Sequence, residues 1–251
     1  ERKGSGSLMY YVKRFAGLIW GLFICAVGIY LTIQANIGLP PWDAFSMGLS
    51  YALGTSYGDA SVYSGLAIIG LDLILKEKIG FGTLLNTLLI GKMVDLLTWL
   101  DLIPMLHNFW WGLLMLLTGQ AVTYFGCYYY MGASMGCGPR DSLMVALGKR
   151  LNRIPIGVVR ICIEGTVLCI GWLLGAKVGW GTLIFVASAG GLLELIFRLL
   201  RFDVKALVHE GFLTTIRNIR HKTYPIPYNL GRLPKKNKNL QKPGPICGQQ
   251  K

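Results

Sequence analysis

The chain carries one pattern twice, about 98 residues apart. The residues that match best are glycines, prolines and acids rather than the aliphatics any membrane helix shares. Gly21, Gly28, Tyr30, Ala35, Gly38, Pro41 and Asp43 recur at constant offset as Gly119, Gly126, Tyr128, Ala133, Gly136, Pro139 and Asp141. After a one-residue slip, Gly58, Leu75, Lys78, Gly80, Gly82, Thr83, Leu84 and Gly91 recur as Gly157, Leu174, Lys177, Gly179, Gly181, Thr182, Leu183 and Gly190. Such a repeat calls for two units of one design packed on each other, the architecture by which many secondary transporters hold a site between two halves.

The medium is set by composition. Hydrophobic residues make up 53% of the 251, charged residues only 15%, and mean hydropathy is +0.49. That is more apolar surface than a soluble chain of this length buries, so the expected surroundings are a lipid bilayer. The net charge of +13 does not point to nucleic acid, because it is concentrated at one end: residues 202 to 251 hold ten Lys or Arg against Asp203 and Glu210. A basic tail beside membrane spans reads as a cytoplasmic segment.

Four segments are expected in residues 11 to 101, at about 15 to 36, 41 to 53, 58 to 75 and 82 to 100. Residues 102 to 202 repeat them at about 109 to 132, 139 to 151, 156 to 175 and 181 to 200. Segments of about 20 residues rise roughly 30 Å and cross a hydrocarbon core, whereas about 13 residues reach only roughly 20 Å and suit a broken or re-entrant helix. The fold class is therefore an all-α polytopic bundle of two homologous halves, each with three full spans and one short helix. Three spans per half invert the second half. With the N-terminus inside, this places Lys13 and Arg14, the Lys76 loop, the loop 149 to 153 and the basic tail on the cytoplasmic side. Four spans per half would move the Lys76 loop outside. Residues 1 to 10 read as a flexible segment with a linker-like start, and residues 203 to 251, with five prolines, as a largely disordered tail beyond a short helix near 206 to 220.

The chemistry-bearing residues cluster at the breaks. Asp43 and Asp141 follow Gly-Leu-Pro-Pro-Trp and Gly-Cys-Gly-Pro-Arg, each at the start of a short helix. There Pro41 and Pro139 fit the first helical position, and an acid is stabilised by the helix dipole. Two caps account for the repeat as well as two carboxylates selecting a cation, an amine or a proton do. Trp42 and Arg140 hold equivalent places, which suits an organic ligand with an anionic group, or simple interfacial anchoring. Glu164 lies mid-segment with Arg160 one turn earlier, and a charge there must face the bundle interior or a watery cavity. Gln34 and Asn36 either line a pathway or satisfy backbone groups where the helix ends. Lys92 and Asp95 approach the end of their segment, where snorkelling is the simpler account. Gly38, Gly136, Gly82 and Gly181 mark the breaks, and Thr83 and Thr182 are natural cap or first-turn hydroxyls. Six scattered cysteines without a CxxC pair, and three histidines outside the segments, suggest no metal, no cofactor and no enzyme chemistry.

The paired Gly-x-x-Pro-(Trp/Arg)-Asp and Gly-x-Gly-Thr motifs, over about residues 12 to 202, resemble the YczE/YyaS/YitT family of bacterial integral membrane proteins, most closely its YczE branch. The resemblance implies a multi-pass protein of the bacterial cytoplasmic membrane and marks Asp43 and Asp141 as family features. It implies no substrate.

Two functional expectations stand side by side. One is a secondary transporter or permease for a small polar solute, coupled if at all to protons, with both termini cytoplasmic. The other is a membrane scaffold, as a homo-oligomer or with a soluble partner enzyme recruited by its loops and tail. The second makes the tail matter more than the intramembrane acids.

Overall fold

The computed structural model describes residues 5 to 77, 79 to 136, 138 to 150, 156 to 202, and 211 and 212. Lys78, the loop around Arg153, the expected helix near 206 to 220 and most of the tail lie outside the described residues. Eight helices form, and no strand occurs, among the described residues. They are α1 Ser5–Gln34, α2 Pro41–Leu53, α3 Tyr57–Ile74, α4 Phe81–Leu100, α5 Phe109–Gly132, α6 Pro139–Arg150, α7 Ile156–Leu173 and α8 Trp180–Leu199. Helix α1 begins at Ser5, well ahead of the apolar stretch from Phe15, so Lys13 and Arg14 lie within it.

Among the described residues, three helices are long and apolar enough to cross a bilayer by length and composition: α1 from Tyr11, α4 and α8. The others are diluted by polar residues. Helices α3 and α7 have 18 residues each, with Asp59 and Asp72 in one and Arg160 and Glu164 in the other, and α5 carries Gln120 and four tyrosines. Trp99, Trp110 and Trp111 are largely exposed where α4 ends and α5 begins, and Trp172 and Trp180 where α7 ends and α8 begins. Exposed indoles in such positions suit a membrane–water interface.

The centre of the molecule is the antiparallel pair α1 and α5. Gly21 lies against the backbone of Gly126 and Tyr130, and Gly28 against Gly119 and Thr123; a methyl group at either glycine would collide with backbone. Without a hydrophobic driving force between helices in lipid, such close approach supplies the van der Waals contact that holds them. The contact is reciprocal: Gly21 and Gly28 match Gly119 and Gly126 in the sequence, and each packs on the other's counterpart.

Both ends of this pair close in related ways. After α1 the chain takes a positive φ at Asn36 and Gly38; after α5 it does so at Ser134 and Gly136. Gly38 (φ +132°) then lies on the start of α8, where Gly181 N–H donates to the Ile37 carbonyl at 3.0 Å. Gly136 (φ +127°) lies on the start of α4, where Gly82 N–H donates to the Met135 carbonyl at 2.7 Å. Only glycine tolerates these φ values with a backbone so near. Thr83 and Thr182 are fully buried at these contacts, and each accepts a bond from the N–H of the glycine three residues before it.

The outer helices differ. Helix α3 packs on α4 through Gly58 against Gly91 and Gly65 against Thr87. Gly58 N–H and the Ser56 hydroxyl also donate to Asp95, at 2.8 and 2.6 Å. Asp95 thus ties two helices together instead of snorkelling, and Lys92 pairs with Asp59 across the same seam. Helices α7 and α8 scarcely touch among the described residues. Gly157 and Gly190, which match Gly58 and Gly91, face open space with nothing within 4 Å of an added Cβ.

Candidate functional site

The chain leaves opposite ends of the α1–α5 pair to enter α2 and α6, and the first turns of these two short helices meet, with Arg140 over Trp42. Pro41 and Pro139 are their first residues and Asp43 and Asp141 lie in their first turns, which suits acids to the positive helix end. From there the two diverge. Asp43 is buried and accepts a hydrogen bond from the Tyr57 hydroxyl at 2.9 Å, and the Arg140 guanidinium is 3.9 Å away. The repeat places Ile156 where a second Tyr57 would stand, so Asp141 has no such donor. Its exposed carboxylate accepts no hydrogen bond and makes no ion pair among the described residues.

Asp141 instead faces a pocket of about 120 Å³ that it shares with Trp42, Arg140, Met144, Arg160, Ile163 and Glu164. Arg160 donates to Glu164 at 2.8 Å across one helical turn. Arg140 lies over the Trp42 ring, 5.0 Å from its centroid. The two residues stack on one another, so they do not flank an anionic ligand from opposite sides. Each guanidinium already has an acid partner, Arg140 with Asp43 and Arg160 with Glu164. Six of the eight residues named as candidates from sequence therefore meet in one place, drawn from α2, α6 and α7.

Gln34 and Asn36 are elsewhere. Gln34 donates to the Tyr30 hydroxyl at 3.1 Å, and Asn36 donates to the Leu106 carbonyl at 3.0 Å while accepting from Lys177 at 2.7 Å. Neither faces the pocket: Gln34 holds a tyrosine hydroxyl of its own helix, and Asn36 ties the end of α1 to the loop before α5 and to Lys177. At the other break the same work falls to Arg14. Fully buried, it donates to the carbonyls of Ala133 and Ser134 at 2.7 and 2.9 Å, capping α5. Sequence reasoning missed Arg14 and Tyr57 because their partners are about 120 and 14 residues away, and neither side chain sits in a local motif.

A second, larger cavity of about 690 Å³ opens beside the charged pocket and shares Trp42 and Ile163 with it. Its walls are apolar faces of α2, α3, α6 and α7, including Phe45, Leu49, Ile68, Leu71, Leu143 and Val167.

The family model that matches residues 12 to 198 describes a family of unknown function, DUF6198. Among curated proteins, the chain is 32% identical over 185 residues to the uncharacterized membrane protein YczE of Bacillus subtilis, covering 73% of this chain and 85% of the relative. It is 30% identical over 188 residues to an uncharacterized protein of Haemophilus influenzae, covering 75% and 85%, and 28% identical over 187 residues to the uncharacterized protein YyaS of Bacillus subtilis, covering 70% and 88%. No solved structure matches the chain. The matched span takes in α4, α1 from Val12 onward and α8 as far as Arg198, the three helices among the described residues apolar enough to cross a bilayer, and all of the charged pocket. The chain is thus a helical membrane protein belonging to the DUF6198 family.

Proposed function

We propose that the chain is a secondary transporter or permease of the bacterial cytoplasmic membrane, with the charged pocket on its pathway. Residues 11 to 101 and 102 to 202 are read as inverted halves. Each has three spans and one broken helix, α2 or α6, and both termini are cytoplasmic. The antiparallel, reciprocal packing of α1 on α5 supports the inversion, since these helices are counterparts in the repeat.

The observation that carries the reading is the difference between the halves. One is sealed, with Gly58 on Gly91; the other is open, with the matching Gly157 and Gly190 unpartnered. Two copies of one unit held in two arrangements are what alternating access requires of inverted repeats. Glu164 stands at the position of Gly65, which in the sealed half meets Thr87. Sealing α7 onto α8 in the same way buries Glu164 against the region of Val186. Its charge, paired here with Arg160 at 2.8 Å, then either goes in as a desolvated pair or is balanced by a proton or a bound cation, and the second course links closure to occupancy.

The test is access to the pocket. In a variant stripped of its native cysteines, Met144→Cys is placed in vesicles and exposed to a membrane-impermeant thiol reagent from either side. A transporter gives modification from both sides, in proportions that shift with the proton gradient or a solute. A scaffold gives modification from one side or none, with no such shift, and would turn attention to the basic tail as a recruiting surface for a soluble enzyme.

A further inference from the structure

The charged pocket and the apolar cavity beside it form one continuous, amphipathic site. We infer that its ligand is an amphiphile with a single ammonium head and an apolar tail, the head at Asp141 and Glu164 and the tail between α3 and α7. This names the solute class of the transport reading and rests on that reading for the purpose of binding.

The head group follows from counting partners. The pocket region holds three carboxylates, Asp43, Asp141 and Glu164, and two guanidiniums, Arg140 and Arg160. Asp43 has Tyr57 and Arg140, and Glu164 has Arg160 at 2.8 Å. Asp141 has no direct hydrogen bond or ion pair among the described residues, and Arg140 and Arg160 act on it only from beyond their own acid partners. With three carboxylates against two guanidiniums, one positive charge balances the group and a negative one adds to its excess. A phospholipid is disfavoured for the same reason, because its phosphate adds negative charge to that excess. A divalent metal needs several oxygen ligands, and no group of three or more metal-ligating side chains occurs among the described residues.

The tail follows from the second cavity. Its volume of about 690 Å³ is that of a site for an organic molecule. Of the hydroxyls on its walls, those of Ser64 and Thr166 turn back onto their own helices, to the Ser61 carbonyl at 3.0 Å and the Cys162 carbonyl at 2.7 Å, and Tyr63 carries the other. The surface offered to a ligand is therefore apolar apart from the Tyr63 hydroxyl. Trp42 and Ile163 belong to both cavities, so a chain leaving the charged pocket passes directly between them.

Equilibrium binding, measured as protection against unfolding in lipid nanodiscs, tests this without any flux, so it and the transport reading fail separately. The probes are n-decylammonium, n-butylammonium and decanoate, corrected for partition into the lipid. Decylammonium is expected to bind at least about tenfold tighter than butylammonium, with no saturable effect of decanoate. Asp141→Asn should lose about tenfold for both amines, and Asp141→Glu should retain binding. Ala67→Trp, filling the apolar cavity, should bring decylammonium down to the affinity of butylammonium and leave butylammonium unchanged. Equal binding of decanoate, equal binding of the two amines, or indifference to Asp141→Asn overturns the inference. If a variant does not fold, the three probes on the unaltered protein decide.

Discussion

Asp43 is the buried charge on which the meeting of α2, α3 and α6 depends, and its pairing with Arg140 can be weighed. Two unit charges 3.9 Å apart interact by about 4 kcal/mol at an effective dielectric constant of about 20. Arg140 has a side chain 35% exposed, so solvent screening brings the net coupling down to roughly 2 kcal/mol. Arg140→Gln leaves Asp43 with Tyr57 alone and should cost about 2 to 4 kcal/mol, since an acid deprived of its cation stays buried. Asp43→Asn removes the charge and keeps an acceptor for Tyr57, so it should cost about 1 kcal/mol. The double variant should then be about 2 kcal/mol more stable than the sum of the two losses predicts. Unfolding in mixed micelles at graded denaturing-detergent fraction, followed by far-ultraviolet circular dichroism, gives all four stabilities. A coupling below about 0.5 kcal/mol would mean that the pair contributes little and that Tyr57 alone holds Asp43 in place.

Other consequences can be checked by the same assay or by cross-linking. Gly28→Leu or Gly119→Leu should cost about 3 kcal/mol or more because backbone stands where the new side chain must go; Gly157→Leu and Gly190→Leu should stay within about 0.5 kcal/mol. Arg14→Met leaves the Ala133 and Ser134 carbonyls without their donor and should lose about 2 to 4 kcal/mol in the same titration. Glu164→Gln together with Arg160→Gln removes the ion pair that sealing would desolvate, so the double variant should raise the sealed population of α7 on α8 by roughly tenfold or more, read as the yield of a cross-link between the two thiols introduced by Gly157→Cys and Gly190→Cys.

Much of the helical framework was legible in the sequence because the breaks are written in residues with few alternatives. The segments expected at 41 to 53 and 109 to 132 appear as Pro41–Leu53 and Phe109–Gly132. Pro41 sets the start of one and Asn108 caps the other, its side chain accepting from the N–H of Trp110. The positive φ at Gly38 and Gly136 is what a glycine after a helix end suggests. The early start of α1 was hidden because Gly4, Ser5, Gly6 and Ser7 read as a linker and no cap marks Ser5. At the site, Asp43, Asp141 and Glu164 stood out as acids in apolar surroundings. Which acid would find a partner did not, because Tyr57 and Arg140 reach Asp43 from other helices. The exchange of breaks, Gly38 onto α8 and Gly136 onto α4, joins residues more than 50 apart and has no local signature. Nor does the recurrence of a glycine reveal how it packs, since Gly58 and Gly157 are the same letter, one set against Gly91 and the other in open space.

That difference is also the point at which the transport account is most exposed. Gly157→Cys and Gly190→Cys, in a variant without native cysteines and reconstituted in lipid, sit in open space here and should leave the fold unchanged. If α7 closes on α8 as α3 closes on α4, oxidation or a short thiol cross-linker will join the pair within each chain, and the yield will rise when Glu164 and Arg160 are both neutralised. No intrachain cross-link under any condition, in protein that remains folded, would contradict alternating access between these halves.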